Sequence, residues 1–175
     1  PVKARFLIVD DEDAVRSSLK MIFEYEGYEV LLAANGPVGL KLAEQEAPDL
    51  VFLDIKMPQM DGLEVLKKLK ERDGAPPVVI LSGHGTVKTA VDAVKLGAFD
   101  FIEKPPDSER ILIAARNALG QKKLSDEQKA RKSLLQHVLV MNGYLPDGIQ
   151  APDPMVPPAD APETSIDDLI ASLKQ

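Results

Sequence analysis

Phe6-Leu7-Ile8-Val9-Asp10-Asp11 is the stretch whose reading decides the fold. Its apolar residues run without alternation, which suits a strand covered on both faces rather than one with a wet side. Ala4–Val9 is therefore read as a buried strand that ends abruptly on two carboxylates. The pattern returns at Leu50-Val51-Phe52-Leu53-Asp54 and, with the opposite charge, where the run from Phe99 to Ile102 leads to Lys104-Pro105. Open α/β sheets build their binding crevices just past the carboxyl ends of strands. Carboxylates gathered there repel one another unless a proton or a cation intervenes. A hard divalent ion held by oxygen ligands answers that repulsion. The three stretches predict one acidic pocket with a lysine reaching in, a constellation that reads as a phosphoryl-accepting aspartate with its metal site.

The intervening segments carry helical spacing. Ala14–Glu26 places Val15, Leu19, Ile22 and Phe23 on one face, and Gly27 ends it as a left-handed cap commonly does. Glu29–Ala33 reads as a second strand. Asn35-Gly36-Pro37 then opens a helix in which Leu40 and Ala43 face inward. The loop from Met57 to Gly62 follows the third strand, and Leu63, Leu66 and Leu69 stripe the next helix. Val78–Leu81 is the fourth strand. Val87, Ala90, Val91 and Val94 stripe the fourth helix, which Gly97 closes, and Ile111–Leu119 begins the last helix of the domain. Five strands and five helices in strict alternation imply right-handed crossovers and a wholly parallel sheet. The expected fold is a flavodoxin-like, doubly wound (βα)5 sandwich, although alternation alone does not fix the strand order.

The character changes after Leu119. Gly120 and Ser125 are read as a break, and Ser125 with Gln128 has capping-box spacing. Ala130, Leu134, Val138 and Met141 then share one helical face until Gly143. Six prolines lie between Pro146 and Pro162, a stretch without the apolar mass for a core. Beyond it, Ser165 could cap a short helix with Asp167 and Asp168 in its first turn. Ile166, Leu169, Ile170 and Leu173 form its one apolar stripe, spaced for docking into a groove. The expected layout is a domain over 1–120, a helical extension over 121–143, a proline-rich linker over 144–163 and a short amphipathic helix over 164–175.

Bulk properties exclude several classes. Of 175 residues, 45% are apolar, enough for a packed core. A formal net charge of -7 opposes a broad nucleic-acid-binding surface. The absence of cysteine excludes disulfides and thiolate chemistry, and two histidines without it make a poor zinc site. No apolar stretch approaches a membrane span and no signal peptide precedes the first strand, so a cytoplasmic protein is expected.

Asp10-Asp11, Asp54, Ser82 and Lys104-Pro105, spaced across five βα units, resemble the receiver domain of two-component response regulators over roughly Val2 to Leu119. Gly83-His84-Gly85-Thr86 and the run from Leu96 to Pro105 are most similar to receivers of the NtrC type. The resemblance implies a set of roles. Asp54 would accept a phosphoryl group from a sensor histidine kinase. Asp10, Asp11 and Asp54, with the backbone carbonyl of Lys56, would hold Mg²⁺. Lys104 would pair with Asp54 or with a phosphoryl oxygen, and Ser82 would bring its hydroxyl to that group. Phe101 would swing inward behind Ser82, and Lys104-Pro105 is a candidate cis peptide. The face made by the fourth helix, fifth strand and fifth helix would respond, as a homodimer interface or a partner site. Apart from the resemblance, the apolar stripe of the tail is read as a site for an unknown downstream protein.

Rival readings remain open at this point. A haloacid-dehalogenase-type phosphatase would want a second aspartate two residues after the nucleophile, where this chain has Lys56. No G-x-x-x-x-G-K-[ST] phosphate loop is present. The chain is therefore read either as the N-terminal fragment of an NtrC-type sigma-54 activator or as a regulator whose output is protein binding, and the second is favoured. A scaffold that is never phosphorylated is the third reading.

Overall fold

The computed structural model describes residues 3–83 and 85–141, with the backbone alone for 136–141. Among these, five strands and five helices alternate: β1 Arg5–Val9, α1 Asp13–Tyr25, β2 Glu29–Ala33, α2 Gly36–Glu46, β3 Leu50–Asp54, α3 Gly62–Lys70, β4 Val78–Ser82, α4 Val87–Lys95, β5 Asp100–Glu103 and α5 Ser108–Met141. All strand pairs are parallel and the order is β2-β1-β3-β4-β5, the flavodoxin-like arrangement. The order steps outward in both directions from β1 and β3, so the chain reverses its winding between these two strands and leaves a crevice above their carboxyl ends.

Two apolar layers cover the sheet. On one face Phe6, Ile8, Phe52 and Leu81 meet Leu19 and Phe23 of α1 and Ile111, Ala114, Ala115 and Ala118 of α5. The Phe6 and Phe23 rings meet edge to face at 4.9 Å, and Phe6 stacks on Tyr28 at 4.3 Å. Each such pair contributes about 0.5–1.5 kcal/mol beyond its buried area. On the other face Leu7, Val9, Val51, Leu53 and Ile80 meet Val65, Leu66 and Leu69 of α3 and Ala93 of α4. Strands buried on both sides need apolar residues at every position, which is why β1 and β3 read as unbroken runs.

Local chemistry sets the helix ends. The side chains of Asn35, Asp61 and Thr86 accept hydrogen bonds from the backbone N–H groups of Val38, of Leu63 and Glu64, and of Thr89, capping α2, α3 and α4. Gly27 and Gly97, with φ of 89° and 94°, turn the chain after α1 and α4 in the left-handed region where a Cβ is costly.

Two features depart from the sequence reading. α5 runs unbroken from Ser108 to Met141, through both Gly120 and Ser125. Gly120 lacks the positive φ that makes Gly27 and Gly97 stops, and the residues around it, Ala118-Leu119 and Gln121-Lys122-Lys123, are strong helix formers. A glycine inside an exposed helix costs about 1 kcal/mol, too little to break it there. The chain divides instead into units Pro1–Asp126 and Glu127–Gln175. Second, the apolar stripe of α4 does not face the sheet. Val87 is 83% and Val94 61% exposed, Val91 is exposed too, and Ala93 is the buried residue of the helix. Helical spacing identifies a stripe but not what lies against it. The residues Ile166, Leu169, Ile170 and Leu173, and the linker before them, lie outside the described residues. Among the described residues no helix is long and apolar enough to cross a membrane.

Candidate functional site

Strand register brings the predicted residues together. Val9 pairs with Leu53, so Asp10 and Asp54, each the next residue, emerge side by side at the carboxyl edge of the sheet. Asp54 pairs with Leu81, and Ser82 with Glu103, so Ser82 and Lys104 follow at the same edge. The Lys104 N–H donates to the Ser82 carbonyl at 2.8 Å, and the Lys104-Pro105 peptide is cis. Asp10, Asp54 and Ser82 are the buried polar residues of the described chain, at 1%, 4% and 3% exposure.

Lys104 reaches across this edge. Its Nζ lies 2.7 Å from Asp10 Oδ2 and 3.4 Å from Asp54 Oδ2. It is also 3.4 Å from Glu12 Oε1, a residue that sequence reading missed. Glu12 stands at the N-cap of α1 without using its side chain as a cap, which leaves that carboxylate for the lysine. Its own N–H donates to Asp10 Oδ1 at 2.9 Å, so Asp10 shapes the turn into α1 and faces the pocket with its other oxygen. Arg16, also missed, donates to the Asp10 carbonyl at 2.6 Å and pairs with Asp13, pinning that turn from below. A basic residue one helical turn or so after the acidic pair was the available signal. Gly62 is a third. A Cβ there would lie 2.1 Å from the Asp54 carbonyl oxygen, and its N–H donates to the Ile55 carbonyl at 2.7 Å. α3 therefore starts directly against the backbone that carries Asp54.

The electrostatics follow from burial. Asp54 is pushed from 3.8 up to about 6, first by desolvation and then by the charge of Asp10, with Lys104 opposing and a hydrogen bond that the protonated Asp54 carboxyl donates to Asp11 adding to the rise. Burial alone would lower the Lys104 ammonium; its close pairing with Asp10 and the charges of Asp10, Asp54 and Glu12 outweigh that and raise it. One cation thus serves three carboxylates, which leaves the pocket with excess negative charge.

That excess fits a divalent ion. Ligand oxygens of Asp10, Asp11 and Glu12 lie within 4.8 Å of one another, with Asp10 buried and the other two exposed. Asp10 Oδ2 is enclosed and, despite its nearness to Lys104, has no aligned hydrogen-bond donor among the described residues. A buried carboxylate oxygen beside further carboxylates is the hard donor set that Mg²⁺ takes while keeping several waters. Lys56 is an exposed residue two positions beyond Asp54. Phe101 on β5 is half-buried and packs with Ala98 and Leu96 against the α3–α4 side of the core. His84 lies outside the described residues.

Comparison with known proteins agrees with this geometry. Residues 6–116 match the family model described as "Response regulator receiver domain". The chain is 39% identical over 123 residues to the "Regulatory protein AtoC" of Escherichia coli (strain K12), covering 70% of this chain and 27% of that protein. It is 40% identical over 137 residues to the "Nitrogen assimilation regulatory protein NtrX" of Azorhizobium caulinodans, covering 77% of this chain and 30% of that one. It therefore spans less than a third of the length of either regulator. Among solved structures, NtrX from Brucella abortus superposes with a TM-score of 0.70 at 38% identity over 77% of this chain and 30% of that one. A CheY-like receiver domain protein from Methanospirillum hungatei gives 0.66 at 36% identity, covering 70% of this chain and 98% of that one. An acidic pocket at the strand ends, a lysine bridging it and a family match over most of the sheet lead to one conclusion: this chain belongs to the response regulator receiver family and is most similar to receivers of the NtrC type.

Proposed function

We propose that the chain is a phosphorylation-controlled signalling switch in which Asp54 accepts a phosphoryl group from a sensor histidine kinase. The observation that carries this is the position of Lys104 Nζ, between Asp10 Oδ2 at 2.7 Å and Asp54 Oδ2 at 3.4 Å. In the transfer, the nitrogen–phosphorus bond of a phosphohistidine breaks and a bond forms between phosphorus and an Asp54 carboxylate oxygen. Asp54 must be ionised to attack, and the cation beside it favours that form. Lys104 then moves its ammonium to a phosphoryl oxygen, exchanging one anionic partner for another without leaving the pocket. Asp10 and Asp11, with Asp54 and the Lys56 carbonyl, would hold Mg²⁺, which when bound neutralises charge that develops on the phosphoryl oxygens. Ser82 offers its hydroxyl to the same group, and Phe101 follows it.

The output reading rests on the outward stripe of α4. Val87, Val91 and Val94 offer an apolar surface on α4, next to β5 in the sheet order's outer half, and Ile113 of α5 is also exposed. That α4–β5–α5 face suits a homodimer or a protein partner, and the segment 164–175 is the proposed site for a downstream protein. A second reading has its own support. The chain covers 27% and 30% of two NtrC-type relatives, as one part of a longer activator would.

Acetyl phosphate with Mg²⁺ tests the switch. A mass gain of one phosphoryl group on the wild type, absent in Asp54→Ala, is expected. A wild type that gains nothing, or an equal gain in the variant, favours the scaffold reading. Deleting residues 164–175 and finding partner binding and oligomeric state unchanged removes the tail from the proposal.

A further inference from the structure

We propose that Gly85 is a positioning residue of the switch, whose missing side chain provides the seat in which the Phe101 ring rests beside the Ser82 hydroxyl. The proposal rests on the reading of Asp54 as phosphoacceptor for its consequence, but not for its geometry. A Cβ at Gly85 would lie 2.5 Å from Phe101 Cζ and 2.9 Å from Cε1. The same atom would lie 3.2 Å from Ser82 Oγ. One methyl group would therefore press on both the ring and the hydroxyl, the two groups to which the proposed function assigns the switch. The ring tip is the end that can yield, because Gly85 directly precedes Thr86, whose side chain caps α4 by accepting from the Thr89 N–H.

The glycine is needed for space and not for backbone conformation. The left-handed glycines of the described chain are Gly27, Gly74 and Gly97, and Gly85 is not among them. The effect of an alanine there comes from its contacts, the close one with the Phe101 ring and the lesser one with Ser82 Oγ. Gly83 supplies the contrast within the same loop. Its added Cβ would meet only Lys104 Cδ, at an ordinary 3.9 Å. Two glycines two residues apart thus have different reasons, one of them open space and the other an aromatic ring. Ser82 lies at the carboxyl edge with Asp54 and Phe101 stands half-buried on β5, so the Gly85 seat joins the site to an element of its proposed readout.

The test is a set of variants, Gly85→Ala, Gly83→Ala, Phe101→Leu and the double variant Gly85→Ala/Phe101→Leu, in the full chain. Two readouts are used: the NMR signals of the Phe101 ring in the unmodified protein, and affinity for beryllofluoride with Mg²⁺ followed by ¹⁹F NMR. Gly85→Ala is expected to shift the Phe101 ring signals and to weaken beryllofluoride binding by about tenfold, as overpacking of a seated ring would. Gly83→Ala is expected to bind within about twofold of wild type. Leucine withdraws the ring tip, so in the Phe101→Leu background the alanine should cost much less, its remaining tight contact being Ser82 Oγ at 3.2 Å. An equal loss from Gly85→Ala with and without the Phe101 ring, or unchanged ring signals and affinity, overturns the proposal. Should the wild type itself fail to bind beryllofluoride, the phosphoacceptor reading falls, while the ring signals still decide whether Gly85 seats Phe101. If Gly85→Ala does not fold, Phe101→Leu alone must perturb the Ser82 signals relative to wild type, and silence there counts against the seat.

Discussion

Replacing Asp54 with asparagine is expected to stabilise the metal-free protein at pH 8 and to leave its stability nearly unchanged at pH 4. The cause is the burden the folded state places on that carboxylate. Burial, then the charge of Asp10, and then a hydrogen bond donated by the protonated carboxyl to Asp11 push it from 3.8 up to about 6, despite Lys104. A carboxyl whose folded value lies above its unfolded value binds its proton more tightly in the native state. The stability this lends is fully present below about pH 3.8, falls as pH rises through about 6, and is gone above that. At about 1.4 kcal/mol per pH unit, the gap corresponds to about 3 kcal/mol. Asparagine keeps the shape and drops the charge, but forfeits the attraction to Lys104. The expected net gain at pH 8 is therefore about 1–3 kcal/mol, or about 2–12 °C in melting temperature for a chain of this size. Urea and thermal denaturation followed by far-ultraviolet circular dichroism in EDTA, between pH 4 and pH 8, measure it. An asparagine variant no more stable than wild type at pH 8, or one whose gain is the same at both ends of the range, refutes the account of a strained carboxylate.

Removing Lys104 should do the reverse. Lys104→Ala strands the buried carboxylates of Asp10 and Asp54, and the cost expected at pH 8 is about 3–5 kcal/mol, smaller near pH 5 where Asp54 takes up a proton; a pH-independent loss in the same denaturation series counts against the ion pairs as its source. Mg²⁺ at about 100 times its dissociation constant should stabilise the wild type by about 2.7 kcal/mol at pH 8. Asp11→Ala should lose most of that gain, and an unchanged gain places the ion elsewhere. Gly62→Ala forces a Cβ to within 2.1 Å of the Asp54 carbonyl oxygen unless α3 retreats. Overpacking of this kind costs about 1–3 kcal/mol. A displacement of about 1 Å at Asp54, the proposed phosphoacceptor, should slow labelling by acetyl phosphate about a hundredfold. A Gly62→Ala protein as stable and as reactive as wild type contradicts so close an approach.

Much of the fold was legible because parallel sheets demand it. β1 and β3 could only be unbroken apolar runs, since helices cover both faces, and β2 began and ended where its run of residues did. Asp54, Asp10 and Lys104 were legible for a related reason: polar residues that terminate such runs must emerge at the sheet edge. Glu12 was not, because its partner Lys104 is far along the chain and an acidic residue before a helix reads equally well as a cap. Gly62 and Gly85 were opaque as well. A glycine chosen for the closeness of another segment looks, in one dimension, like a glycine chosen for a turn. The α5 break was read wrongly because Gly120 carries the letter of a stop without its backbone angle.

By itself, then, the chain determined which groups would exist and on which element each would stand, through period, run length and the residues that punctuate them. These are local properties, written in the dihedral preferences and solvation of consecutive residues. The tertiary structure decided distances and signs. It brought strand order to β2-β1-β3-β4-β5, turned the α4 valines outward, placed one lysine among three carboxylates and set the protonation of Asp54. Coulomb energies and excluded volume depend on separations between segments far apart in sequence, and those separations come into being only when the sheet closes.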